Sequence, residues 1–230
     1  MKTLLCNIIL ISKRVGSLIL MSLMISCSST KLVTSWKNPE YQIFKPKKIL
    51  VVGVTPNKEA RKAFEFELIN ALNARKIYAL QSAVVFETSF QDSKQTEKEI
   101  EDQVEILLSK GYDTVLVSLV KGVDENESYG SESSKTDYHL RRFIFYYLMY
   151  QDAYFEQNYY TRYKVFNIET SIYNLKKDAD KALVWVGSFD LVDPNSSNKT
   201  ISMYAEKLIK TLEKEKIIPK KIIPKKRNLK

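Results

Sequence analysis

Cysteine is almost missing from this chain of 230 residues: Cys6 and Cys27 are the two, and none follows Cys27. No disulfide framework can therefore staple the body of the protein. Histidine is scarcer still, with His139 alone. Transition-metal sites draw on several His and Cys ligands, so none is expected. Glycine is sparse, six in all. A phosphate-cradling loop needs several glycines at fixed spacing, and "VVGVTPNKEA" supplies only Gly53, expected instead to ease packing at the end of a strand. The acid cluster "EKEIED" falls on an expected helix as a solvated face, and "DENES" lacks the spacing of a Ca²⁺ loop. No cofactor or metal is expected.

Charge is unevenly distributed. The formal net charge is +9, yet residues 1–26 hold Lys2, Lys13 and Arg14 with no acid, and residues 213–230 hold eight basic and two acidic residues. Between them, residues 27–212 carry 25 of each sign. The excess belongs to the two ends of the chain. Nucleic-acid binding wants a basic patch on the folded domain, so no nucleic-acid partner is expected.

No apolar run is long enough to span a bilayer. Lys13 and Arg14 interrupt residues 4–25. Neither side reaches the ~18 residues a span requires, and each cation at mid-bilayer would cost about 2.5–3.5 kcal/mol. What is present is a basic pair, an eleven-residue apolar run from Val15 to Ile25, and the small residue Ser26 before Cys27. That is the layout of a secretory signal peptide over residues 1–26.

"LMISC" resembles a bacterial lipobox. Leu23, Ile25, Ser26 and Cys27 suit it, and Met24 is a less usual choice. The resemblance implies cleavage before Cys27 and a diacylglycerol on its thiol. Two acyl chains are enough for stable anchorage, at about 0.8 kcal/mol per buried CH₂. Ser28 stands where Asp would direct inner-membrane retention, which points to the outer membrane, facing the periplasm. Residues 27–44 are expected as a lipid-anchored tether with an extended segment, "LVTSWKNPEY".

The body, 45–216, reads as one α/β domain. Ile49–Val54 is an unbroken apolar run, a buried strand. Asn57 can cap a helix over 58–75, where Ala60, Phe64, Leu68 and Leu72 recur every four residues. "IYALQSAVVF", 77–86, predicts a second strand. A helix over 96–111 shows Ile100, Val104, Leu107 and Leu108 on one face and stops at Gly111. "DTVLVSLV", 113–120, predicts a third buried strand. This βαβαβ order implies right-handed crossovers and a parallel core. "YKVFNIETSIYNL" and "LVWVGSFDLVD" then predict an antiparallel hairpin around a polar turn. A last helix covers 199–216. The tail, 217–230, carries "IIPKK" twice in tandem. Proline prevents a continuous helix there, and a mobile basic end is expected.

In that order, "TSWKNP", "KKILVVGV", "GYDTVLVSLV", a tyrosine-rich insertion and "IETSIYNLKKDADKALVWVGSFD" resemble small bacterial envelope lipoproteins of unassigned function, frequent in Bacteroidota. Their α/β domain is similar to the amino-terminal domain of TolB and to lipoprotein activators of penicillin-binding proteins. The resemblance covers nearly all of residues 27–212. It implies fold and compartment and supplies no catalytic residue. The "IIPKK" tail departs from it.

A Ser–His–Asp arrangement could use only His139, with Asp137 two residues before it, a spacing common by chance. No catalytic residue is expected. The insertion at 129–162 is the remaining candidate for a partner surface. Tyr146, Tyr147 and Tyr150 share a helical face with Phe143, Tyr154 lies four further on, and Arg141 and Arg142 stand beside them. Tyrosine joins large apolar area to a polar tip, suited to core packing or to protein and glycan contact. The tail could meet anionic headgroups or cell-wall polymer. The sequence thus predicts a lipid-anchored, non-enzymatic accessory or adaptor contacting another envelope component. A lipid- or glycan-binding module is the alternative, and a small hydrolase stands behind it.

Overall fold

A computed structural model describes residues 30–55, 57–87, 90, 94–121, 143–151, 165–177, 182–192 and 197–221. In chain order the elements are β1 (Thr30–Lys37), β2 (Lys48–Val54), α1 (Lys58–Asn73), β3 (Tyr78–Gln81), α2 (Ser82–Val85), α3 (Glu97–Ser109), β4 (Thr114–Val120), α4 (Phe143–Tyr150), β5 (Val165–Asn174), β6 (Leu183–Val192) and α5 (Ser197–Lys214). Six strands form one sheet in the order β1-β6-β5-β4-β2-β3. β2 runs parallel to β3 and β4, while β4–β5, β5–β6 and β1–β6 are antiparallel. The expected parallel core, hairpin and C-terminal helix are all present in this mixed α/β fold.

The sheet is covered on both faces, which is why its central strands read as continuous apolar runs. One face carries Ile49, Val51, Leu116 and Ile172 against Phe64 and Leu68 of α1 and Leu208 of α5. The other carries Leu50, Val52, Val117 and Tyr173 against Ile100 and Leu107 of α3 and Phe143 of α4. Gly53 lets α1 approach β2: a Cβ there would lie 3.3 Å from both Arg61 Cγ and Phe64 Cδ1.

The helix starts are set by side chains. Asn57 Oδ1 accepts the Ala60 N–H at 3.0 Å. Thr96 and Glu99 form a reciprocal capping box. The helix ends share one device. Ile77, Tyr112 and Ile217 each donate a backbone bond to the leucine five residues before, Leu72, Leu107 and Leu212. The residues preceding them, Lys76, Gly111 and Lys216, have φ of 63°, 81° and 60°. This is the left-handed C-terminal cap with its buried apolar residue just beyond.

Three segments differ from the sequence expectations. Thr30–Lys37, inside the expected tether, is strand β1 and pairs with β6. Asn38 ends it with a side-chain donation to the Leu183 carbonyl and a turn bond from the Glu40 N–H. The expected strand over 77–86 stops at Gln81 and turns into α2. The start of the expected mobile tail is core: Ile217 and Ile218 are 0% and 4% exposed. Once the chain reverses at Lys216, the cap directs both isoleucines back onto Leu212 and the α1 face.

Both sheet edges are blunted, as exposed edges require. β1 has an irregularity between Leu32 and Thr34. β3 is four residues long, and Asn73 of α1 meets its Ala79 backbone, accepting the N–H at 3.1 Å.

Candidate functional site

The chain leaves β2 for β3 on one side and returns to β4 on the other, so the order reverses between β2 and β4. Ligand crevices in open α/β sheets lie beyond the strand C-termini at such a point. This upper end of the sheet holds three polar groupings.

The first is Glu65 of α1, 1% exposed. Its Oε1 accepts the Gly53 N–H at 2.9 Å and the Ser82 hydroxyl at 2.7 Å, and its Oε2 accepts the Ser82 N–H at 3.1 Å. One carboxyl thus ties the ends of β2 and β3 to α1. Burial pushes its pKa above the usual carboxylate value, against the hydrogen bonds from Gly53 and Ser82 and the nearby Arg61. The second is a hydroxyl chain: Ser118 of β4 meets Thr170 of β5 at 2.7 Å, and Thr170 meets the Tyr204 hydroxyl of α5. Burial raises the Tyr204 phenol to about 12, so it stays neutral at physiological pH. The third lies on the opposite face, where Lys121 Nζ contacts Glu169 Oε2 at 2.6 Å. Glu169 is 2% exposed and Lys121 only partly covered, so the carboxylate is neutralised where the sheet opens towards solvent.

Each of these groups is bonded within the fold. Chemically they hold strand ends together, and the Lys121–Glu169 pair stands nearest to solvent. They leave no mark on the linear sequence because the partners are 12 to 52 residues apart. A local signal existed only for Glu65, an acid in an otherwise apolar helical stripe between Phe64 and Leu68.

Of the residues singled out from sequence, Tyr147 is 6% exposed. It packs on Phe143 and Phe90, each at 5.8 Å between ring centroids. It belongs to the core on the α3/α4 face and not to an outer surface: Phe143 and Tyr147, four apart on α4, cover the sheet. Tyr146 and Tyr150 lie in α4, but their side chains lie outside the described residues, as do Cys27, Arg141, Arg142, His139 and Tyr154. Among the described residues no group of three or more His, Cys, Asp or Glu is placed to hold a metal. No helix among them is long and apolar enough to cross a membrane.

No family model matches the chain, and no curated protein matches it. Solved structures that the chain is similar to include the PelC dodecamer of Paraburkholderia phytofirmans, at 13% identity and a TM-score of 0.42, covering 83% of this chain and 99% of that one. Another is lipoprotein GNA1162 of Neisseria meningitidis, at 15% identity and a TM-score of 0.38, covering 74% and 99%. Likeness at this level transfers no activity.

Proposed function

We propose that this chain is a lipid-anchored envelope protein, acylated at Cys27, whose domain works by contact with another envelope component and not by catalysis. The observation that carries the reading is the run Lys13–Arg14, Val15–Ile25, Ser26, Cys27, followed three residues later by the first residue of an edge strand. Three residues reach at most about 10 Å, so an acylated Cys27 would hold the upper end of the sheet close to the bilayer surface. The internal bonding of Glu65, Tyr204 and Thr170 at that end supports a structural use of its polar groups. Placement in the outer membrane, facing the periplasm, rests on Ser28 after the cysteine.

Fractionation of cells expressing the native chain and Cys27→Ala tests the reading. The native chain is expected in the membrane pellet and the variant in the soluble or unprocessed fraction. A fully processed variant that sediments with membranes as the native chain does would contradict it.

A further inference from the structure

The neutral charge count of the chain's middle conceals a spatial separation. Register places the N-terminal ends of β2, β3 and β4 at the lower end of the sheet, through Lys48↔Tyr78 and Ile49↔Thr114. The C-terminal ends of β1 and β5 and the start of β6 join them, through Lys37↔Trp185, Thr114↔Asn174 and Tyr173↔Leu183. Helices α1, α3 and α5 all finish there. Arg75 after α1 pairs with Glu213 of α5 at 2.7 Å, and Glu215 accepts from Trp185 Nε1 at 2.5 Å and from Ser35 Oγ at 2.7 Å.

That end collects cations from every element reaching it. Lys45, Lys47 and Lys48 lead into β2; Arg75 and Lys76 follow α1; Lys110 follows α3. Lys37 closes β1, Lys176 and Lys177 follow β5, and Lys214, Lys216, Lys220 and Lys221 close α5 and its extension. Among the described residues this end thus holds thirteen basic residues against four acidic ones, Glu40, Asp113, Glu213 and Glu215. Three of those acids are engaged within the fold: Asp113 accepts the Lys47 and Lys48 N–H groups, Glu213 holds Arg75, and Glu215 holds Trp185. The rest of the described chain carries ten basic and twelve acidic residues. Complementing helix C-termini does not account for this, since three helices present only about −0.5 charge each.

We infer that the lower end is a binding surface for a linear polyanion other than a nucleic acid, a polymer bearing repeated carboxylates or phosphates; the basic strip alone would admit nucleic acid, and the export proposed with Cys27 sets it aside. Twelve of its thirteen cations are lysines, point charges on flexible stems, and its one arginine is already paired. Such a set suits diffuse charge better than a bidentate pocket. The strand ends lie ~4.8 Å apart, so the cations spread as a strip across the whole end. A bilayer is the competing surface, since Ile43 and Tyr78 are exposed among these lysines at 76% and 52%. The polymer is favoured because β1, eight residues or about 26 Å long, separates this end from Thr30. That choice of partner rests on the anchor proposed at Cys27; the charge separation does not.

The test uses purified Cys27→Ala protein, whose polymer binding is independent of membrane fractionation. Binding to fluorescent poly-L-glutamate and to long-chain polyphosphate is measured by anisotropy at 50 and 200 mM NaCl. Two fourfold variants of equal charge change are compared: Lys45→Glu, Lys110→Glu, Lys177→Glu and Lys220→Glu at the lower end, and Lys58→Glu, Lys62→Glu, Lys98→Glu and Lys199→Glu elsewhere. The lower-end variant should bind at least tenfold more weakly at 50 mM salt with a shallower salt slope, and the control should stay within twofold of the parent. The two polymers distinguish carboxylate from phosphate as the preferred group. The Lys→Gln set at the four lower-end positions should also weaken binding, with unchanged circular dichroism. Equal loss in both fourfold variants, or no binding by the parent, would overturn the inference. So would tighter binding to phosphatidylglycerol vesicles or duplex DNA than to either polymer, since that end would then be a membrane or nucleic-acid surface.

Discussion

Trp185 is fully buried, and its ring lies over Gly187, where an added Cβ would meet Cη2 at 2.3 Å and Cζ2 at 2.7 Å. Backbone freedom is not what the glycine supplies; it leaves the space the indole fills. Gly187→Ala should therefore cost about 1–3 kcal/mol through overpacking, read as a lowered urea midpoint with unchanged m-value. An unchanged midpoint would mean that the indole is not seated there. At Glu65 the folded pKa lies above the unfolded one. The folded state then holds the proton more tightly, so stability from this group is present at low pH and lost as pH rises through its folded pKa. Urea unfolding from pH 4 upward should show the native chain losing stability relative to Glu65→Gln as pH rises. A gap independent of pH would contradict this. The role of Gly187 could not be read locally: "WVG" shows a tryptophan two residues before a glycine, and only the strand's path puts the ring on it.

The elements with strong local signals were legible. Asn57 and Thr96 begin α1 and α3 as capping residues, Gly111 ends α3, and the unbroken apolar run at 49–54 and the mainly apolar segment 113–120 became β2 and β4. β1 was not: "TKLVTSWK" sets polar and apolar residues in pairs, Thr30–Lys31, Leu32–Val33 and Thr34–Ser35, without the alternation of a half-buried strand, so it reads as an extended tether. Residues 82–85 read as strand because a four-residue helix has no period to detect. The buried Ile217 was readable in principle, because "LNARKI", "LLSKGY" and "LEKEKI" put an apolar residue five positions after a leucine, each with Lys or Gly before it. Two of these caps force lysine into the left-handed region at Lys76 and Lys216. Lys76→Gly and Lys216→Gly should each stabilise the domain by about 1 kcal/mol, less than the full left-handed cost because glycine also loosens the unfolded chain. Thermal melting checks the sign, and a fall in both variants would contradict the assigned cap. Truncation separates the two "IIPKK" copies. Ending the chain after Lys216 removes two buried isoleucines and should cost at least 2 kcal/mol. Ending it after Lys221 should leave the melting temperature nearly unchanged.

At the scale of the molecule, the sheet has two unlike ends. The upper one begins β1 three residues after Cys27 and is closed by inward-facing hydrogen bonds. The lower one gathers the lysines that follow or precede each element. A count along the chain could not find that asymmetry, because it averages residues at strand starts with residues at strand ends; alternation of chain direction then sorts them in space. Fold class was legible from periodicity, while the site was not, because its parts meet only through strand order. In the proposed function Cys27 is the first residue of the working protein. Mass spectrometry of the N-terminal peptide of the protein purified from membranes tests this most directly. The expected peptide starts at Cys27 with a diacylglyceryl group on its sulfur. A mature peptide that starts elsewhere, or that carries an unmodified Cys27, would contradict it.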